Sequence, residues 1–273
     1  GLNYTVMKWA LDYTTPLALA ALRTTVGAPF LLGVALLRGE RLPQTRQQWA
    51  AVWWISLSIT TVSSGFLVLG ISRLSPGLSA MLSATMPLFT ALIAVAVIAE
   101  FPGRRGYFGL LIGLFGAVFL AVPAFGSGNT TLGIIFLLIS SVSWAAGAVL
   151  NKRLPGALQI SPLMLVALQI TFSAGCLHLA VPFFEDWSET SFTWGLAMPL
   201  LYAGIPSLAV TFYLFASVLR RAPAVQAAAV AYLTPFFGVI FSWLLIGDRL
   251  GATEIFGGLL VVAGVAVLST DRR

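Results

Sequence analysis

Residues 87–103 read PLFTALIAVAVIAEFPG, and residues 235–251 read PFFGVIFSWLLIGDRLG. An offset of 148 carries Pro87 onto Pro235, Phe89 onto Phe237, Ile98 onto Ile246 and the acid Glu100 onto Asp248. The match runs on through Gly103, Phe108, Gly109, Leu111, Gly116 and Leu120, which recur as Gly251, Phe256, Gly257, Leu259, Gly264 and Leu268. Each copy is an apolar segment with a proline in its first third, then an acid, a tight turn and a glycine-striped apolar segment. A unit that recurs at a fixed interval constrains the architecture before any single motif is read.

The surroundings of the two copies set the class. Of the 273 residues, 59% are hydrophobic and 9% charged, and the mean hydropathy is +0.96. That is too little polar surface to cover a water-soluble globule of this length. The apolar runs are helix-length, and a helix needs roughly 20 apolar residues to cross a ~30 Å hydrocarbon core. A polytopic all-α membrane protein follows, since only helices and closed barrels satisfy their backbone groups in lipid. The net charge of +6 is spread in twos and threes between apolar runs, so it reads as a topology signal and not as a nucleic-acid surface. A single cysteine, Cys176, excludes an internal disulfide, and a single histidine, His178, excludes a histidine-based metal cluster. No cofactor is expected.

Ten spans are expected, at about residues 1–11, 16–37, 49–71, 76–99, 105–122, 132–150, 162–181, 194–219, 223–247 and 254–269. The first is too short to cross alone, which implies that part of it precedes residue 1. Residues 126–129, Gly-Ser-Gly-Asn, form the clearest link, dividing the chain into 1–125 and 126–273. Arg38, Arg41, Arg46, Arg104, Arg105, Lys152, Arg153, Arg220, Arg221, Arg272 and Arg273 fall at one end of the spans, and only Arg73 and Arg249 in loops at the other. This bias predicts that both termini are cytoplasmic. Five spans per half is an odd number, so the second half is inverted relative to the first, an arrangement found in transporters that work by alternating access.

Two inverted five-helix halves, the acid-turn-glycine pattern, and Pro16-x5-Leu22-Arg23 at the start of the second span resemble the drug/metabolite transporter superfamily, EamA type. The likeness covers essentially the whole chain. Trp144-Ala145-Ala146 with Asn151-Lys152, and Tyr232-x-Thr234-Pro235, are similar to the YddG-type aromatic amino-acid exporters, although Ala84-Thr85-Met86 stands where that subgroup has aromatic residues. Thr5-Val6-Met7-Lys8 resembles the first helix of small multidrug-resistance pumps, whose essential glutamate would lie ahead of residue 1. The resemblance implies export of amino acids and related small metabolites across a bacterial inner membrane. Export of lipophilic cations is the alternative within the superfamily, and a receptor or scaffold the alternative outside it. An enzyme is not expected, because no acid, base and nucleophile converge in the sequence.

Candidate functional residues follow from these readings. Pro87 and Pro235 lie inside helices, where each frees a carbonyl one turn earlier, and broken backbone belongs at a buried or wet cavity. Thr85, Thr234 and Tyr232 flank the prolines. Trp144 lies in mid-span, away from the interfacial belts, and offers an aromatic face. Tyr202, Tyr213, Asn3 and Tyr4 are further cavity candidates. Lys8 and Arg23 are the basic residues within spans, where charge by default marks a site or a buried pair. Asp12 is four residues from Lys8 and placed to pair with it. Arg23, about 10 Å into its span, is within snorkelling reach of the interface. The Gly109, Gly113 and Gly116 stripe is expected to pack within the chain, leaving a monomer whose partners are its substrate and lipid.

Overall fold

The computed structural model describes residues 1–121, 128–154, 159–222, 227 and 233–270. They form ten helical spans: α1 (Leu2–Ala10), α2 (Pro16–Leu37), α3 (Arg46–Arg73), α4 (Pro76–Ile98), α5 (Arg104–Ala121), α6 (Gly128–Arg153), α7 (Pro162–Phe184), α8 (Trp194–Leu219), α9 (Leu233–Ile246) and α10 (Ala252–Thr270). The fold is an all-helical bundle. The helix starts are chemically marked: Pro16, Pro76 and Pro162 occupy the first helical position, and Ser75 and Ser161 cap Leu78 and Met164 with their hydroxyls. The sequence boundaries hold to within a few residues, except that α6 begins earlier and runs through Lys152 and Arg153, and the expected start of the ninth span at Pro223 lies outside the described residues.

Successive spans alternate direction, which gives the bundle two chemically different ends. Asp12, Glu185, Asp186, Glu189, Asp248 and Glu254 gather at one, here the acidic end, while Arg38 to Arg46, Arg104, Arg105, Lys152, Arg153, Arg220 and Arg221 gather at the other, the basic end. Phe183, Phe184, Phe192 and Trp194 stand exposed around the acidic end, and Trp49, Trp53 and Trp54 towards the basic end, as aromatic residues do at membrane interfaces.

Two cores run through the bundle. One joins α1, α2, α4, α5 and α10 around Met7, Leu19, Leu82, Leu88 and Val261. The other joins α2, α3, α6, α7 and α8 around Ile55, Trp144, Met164 and Leu165. Lipid tails are as apolar as leucine, so helices associate here by close packing and hydrogen bonds. Gly147 on α6 lies against Ile59, and Gly27 on α2 lies against the backbone of Gly204 on α8, both too close for a side chain.

Two departures from regular helix were not among the sequence expectations. Residues Ser56–Val62 of α3 and Ile205–Val210 of α8 are π-helical. The 148-residue offset places the first at 204–210, so the irregularity recurs at matching positions. Each widens the helix by one residue and redirects its side chains. In α3 the widened turn is fixed by α7: Ser56 donates to the Gln169 carbonyl (2.7 Å), and the Gln169 amide donates to the Thr60 hydroxyl (2.7 Å).

Candidate substrate site

The break in α4 positions the first part of the site. Pro87 has no N–H to give the Ser83 carbonyl, so the helix splits into Pro76–Ser83 and Met86–Ile98. Between them the backbone tightens to bonds three residues long, Ala84 to Met81 and Thr85 to Leu82, each 3.1 Å. The Thr85 hydroxyl is buried and donates to the Leu82 carbonyl at 2.6 Å, so it braces the break and does not face outwards from it. The Tyr4 hydroxyl of α1 lies against Ser83, the last residue before the break.

Arg23 is the centre of this region. The interfacial reach expected for it does not describe its position: its relative exposure is 3%, and its guanidinium turns inward between α1 and α3. Packing decides this, because Gly27 and Gly204 bring α2 and α8 together beside it and leave no outward path. Nη2 donates to the Ser64 hydroxyl and Nη1 to the Met7 sulfur, both at 2.9 Å, while Nε is buried without a partner. A thioether is a weak acceptor for a full charge. The same sulfur accepts from Asn3 Nδ2 at 3.7 Å, and Asn3 Oδ1 is buried without a partner.

A hydroxyl seam leads from there towards the basic end. Ser63, next to Ser64, meets Ser140 of α6 with hydroxyls 3.1 Å apart, and Ser143 donates to the Ser58 carbonyl at 2.9 Å. One turn beyond Ser140, Trp144 is buried against Phe215 of α8, ring centroids 4.5 Å apart. Tyr213 packs on the edge of the same cluster. Tyr202 on α8 and Thr234 on α9 are half-buried, and Pro235 is buried. Tyr232 lies outside the described residues. The structure therefore brings together Asn3, Tyr4 and Arg23 at one level and Trp144 with Tyr213 at another, nearer the basic end.

Lys8 has a different role from the expected pairing with Asp12. Its ammonium donates to the carbonyls of Ile71 (2.9 Å), Ser72 (3.1 Å) and Leu74 (3.0 Å), where α3 ends. Helix-terminal carbonyls have no intrahelical donor and carry the negative end of the helix dipole, so they satisfy all three ammonium protons at once.

Above the site, contacts between the two halves seal the acidic end. The Glu185 carboxylate accepts from Leu17 N (2.8 and 3.0 Å) and Ala18 N (3.1 Å), capping α2, whose own Thr15 supplies no side-chain cap. Asp248 accepts from Gly77 N at 3.2 Å at the start of α4 and from the Ser242 hydroxyl at 2.7 Å. Thr14 and Thr190 meet with hydroxyls 2.8 Å apart, and Ser191 N donates to the Tyr13 carbonyl at 2.8 Å. In the connecting loop, the Ser188 backbone and hydroxyl hold the Asp186 carboxyl below the usual range. His178 stacks on Trp187 and bonds to the Ala174 carbonyl, a packing role. At the basic end the described links between the halves are fewer, Lys152 to Glu100 (3.4 Å) and Gln48 to Gln159 (3.2 Å), while Arg220 bonds to the Ile160 carbonyl within the second half.

This architecture can be compared with known proteins. Residues 1–122 and residues 131–270 each match the EamA-like transporter family. The chain belongs to that family. The EamA match spans both halves, and the protein is accordingly an integral-membrane transporter, not an enzyme. Among its relatives, the uncharacterized transporter YvbV of Bacillus subtilis is 25% identical over 273 residues, covering 100% of this chain and 88% of YvbV. The uncharacterized inner membrane transporter YedA of Escherichia coli is 28% identical over 276 residues, covering 98% of this chain and 86% of YedA. A solved crystal structure shares the fold with a TM-score of 0.72 at 18% identity, covering 98% of this chain and 96% of the other.

Proposed function

We propose that this EamA transporter exports neutral amino acids and related small metabolites, as a monomer, by alternating access between inverted halves 1–125 and 126–273. One observation carries the substrate class. Among the described residues, Arg23 is the only charged side chain that is fully buried, and no carboxylate joins it. A bare lipophilic cation entering that core meets a fixed positive charge without screening, at a cost of several kcal/mol. A zwitterion brings its own negative group. The Trp144 and Phe215 rings supply apolar surface for a side chain, and phenylalanine belongs in the substrate range that the YddG-like motifs suggest. Export is the direction implied by the family resemblance, with both termini in the cytoplasm and the acidic end outside.

The test is reconstitution in proteoliposomes with labelled alanine, leucine, threonine and phenylalanine, and with a lipophilic cation. Amino-acid exchange without cation movement is expected, and cation movement alone overturns the substrate class. Rates in vesicles holding mixed active and inactive copies should scale with the active fraction, and dominant loss rejects the monomer. For orientation, Trp187→Cys in a Cys176→Ser background should react with an impermeant maleimide on intact cells. Labelling only after lysis reverses the topology.

A further inference from the structure

Asn3 Oδ1 and Arg23 Nε are an acceptor and a donor, both buried and both without a partner, on two groups that share one sulfur atom. Burying a guanidinium costs several kcal/mol unless an anion and hydrogen bonds offset it. Here the nearest substitutes are a serine hydroxyl and a thioether. No other described acid comes closer than the ends of the bundle, where Glu185 and Asp248 are committed to helix N-termini and Glu100 to Lys152. The guanidinium is therefore held ready for an anion that the described residues do not supply.

We propose that Arg23 and Asn3 form the headgroup site for the transported amino acid, with the carboxylate on the guanidinium and the ammonium on Asn3 Oδ1. This rests on the amino-acid reading above and adds the atoms that recognise the substrate. Asn3, Tyr4 and Met7 lie on one face of α1, at spacings of three and four residues that bring side chains together. Met7 is the placeholder. Its unbranched thioether can swing away and release Nη1, while the unpartnered Nε and the parallel N–H of Nη2 present a side-on, two-pronged donor to a carboxylate. The Ser64 hydroxyl stays on Nη2 and fixes the plane of the fork. Tyr4, whose hydroxyl lies near Arg23 and against Ser83, closes the site on the side of the α4 break. There the Ser83 carbonyl, which Pro87 cannot serve, offers the ammonium a second acceptor. Beyond the seam of Ser63 and Ser140, the Trp144 and Phe215 rings lie on the side-chain end.

The test is exchange in proteoliposomes holding the full chain, with labelled alanine or leucine competed by the unlabelled acid, its carboxamide, its decarboxylated amine and its deaminated carboxylate. In the wild type the acid should compete at least about tenfold better than the carboxamide or the amine, the factor expected for losing a charge-assisted pair. Arg23→Gln should bring the acid down to the level of its carboxamide and leave the carboxamide unchanged, and Arg23→Lys should retain part of the preference. Asn3→Leu should abolish the advantage of the acid over the deaminated carboxylate. A purely structural role for Arg23 moves all competitors together, and that pattern overturns the assignment. Where Arg23→Gln yields no folded protein, the wild-type series decides alone: equal competition by acid and carboxamide overturns the site. Exchange of simple carboxylates without any amino acid rejects the substrate class and keeps Arg23 as the anion site. Amino-acid exchange that ignores the carboxylate keeps the substrate class and rejects Arg23.

Discussion

A methyl group on Gly116 of α5 would stand 2.7 Å from the carbonyl oxygen of Gly257 on α10, and one on Gly109 would stand 2.6 Å from that of Gly264. Gly257 and Gly264 are the positions that the 148-residue offset assigns to Gly109 and Gly116, so each glycine meets the counterpart of the other. That reciprocity belongs to a two-fold contact. It also accounts for the stripe on α5, whose close packing is satisfied inside the chain.

At this crossing, Gly116→Leu should prevent α5 and α10 from closing, and Gly116→Ala should cost about 1–3 kcal/mol of stability through overpacking. Gly33→Ala is the control, because a Cβ there meets nothing within 4 Å. Thermal unfolding in detergent, followed by size exclusion, should show a lower midpoint for the Gly116 variants and an unchanged or higher one for Gly33→Ala.

The acidic end must open if the site is to be reached from that side. Thr14→Cys with Thr190→Cys, in a Cys176→Ser background, places two thiols where hydroxyls are 2.8 Å apart. Oxidation should close the disulfide and stop exchange, and reduction should restore it. Full exchange by the quantitatively cross-linked protein would rule out opening at this end.

Lys8→Met leaves the carbonyls of Ile71, Ser72 and Leu74 without their ammonium donor, at about 1–3 kcal/mol for buried acceptors left unpaired. Asp12→Asn should change little, since Asp12 makes no ion pair with Lys8. Comparing the two unfolding midpoints checks the assignment, and equal losses would restore the Lys8 and Asp12 pair.

Trp144→Leu keeps an apolar side chain against Phe215 and removes the ring face. An aromatic pair contributes about 0.5–1.5 kcal/mol beyond area. Competition by phenylalanine should therefore weaken about threefold to tenfold relative to alanine. An equal effect on both amino acids would make Trp144 a packing residue only.

Sequence alone determined the helical class, the ten spans, the placement of the basic residues and the internal duplication. Each depends on local properties: apolar length, proline and serine at helix starts, and residues recurring at a fixed offset. The break at Pro87 was legible for the same reason, since a missing N–H is a property of one residue. The partners of Lys8 and Arg23 were not. Both are cations in an apolar run, and nothing in their local sequence distinguishes them. Lys8 ends on the carbonyls of α3, more than 60 residues away, and Arg23 is enclosed because Gly27 and Gly204 draw two distant helices together. The π-turn in α3 is held from outside, by Gln169 of α7 and Ser143 of α6, whereas the one in α8 contains Pro206, whose carbonyl accepts from Thr211 of the same helix. Which charge is capped and which is left unpaired depends on neighbours in space, and only the packed bundle decided that Arg23 meets no anion among the described residues.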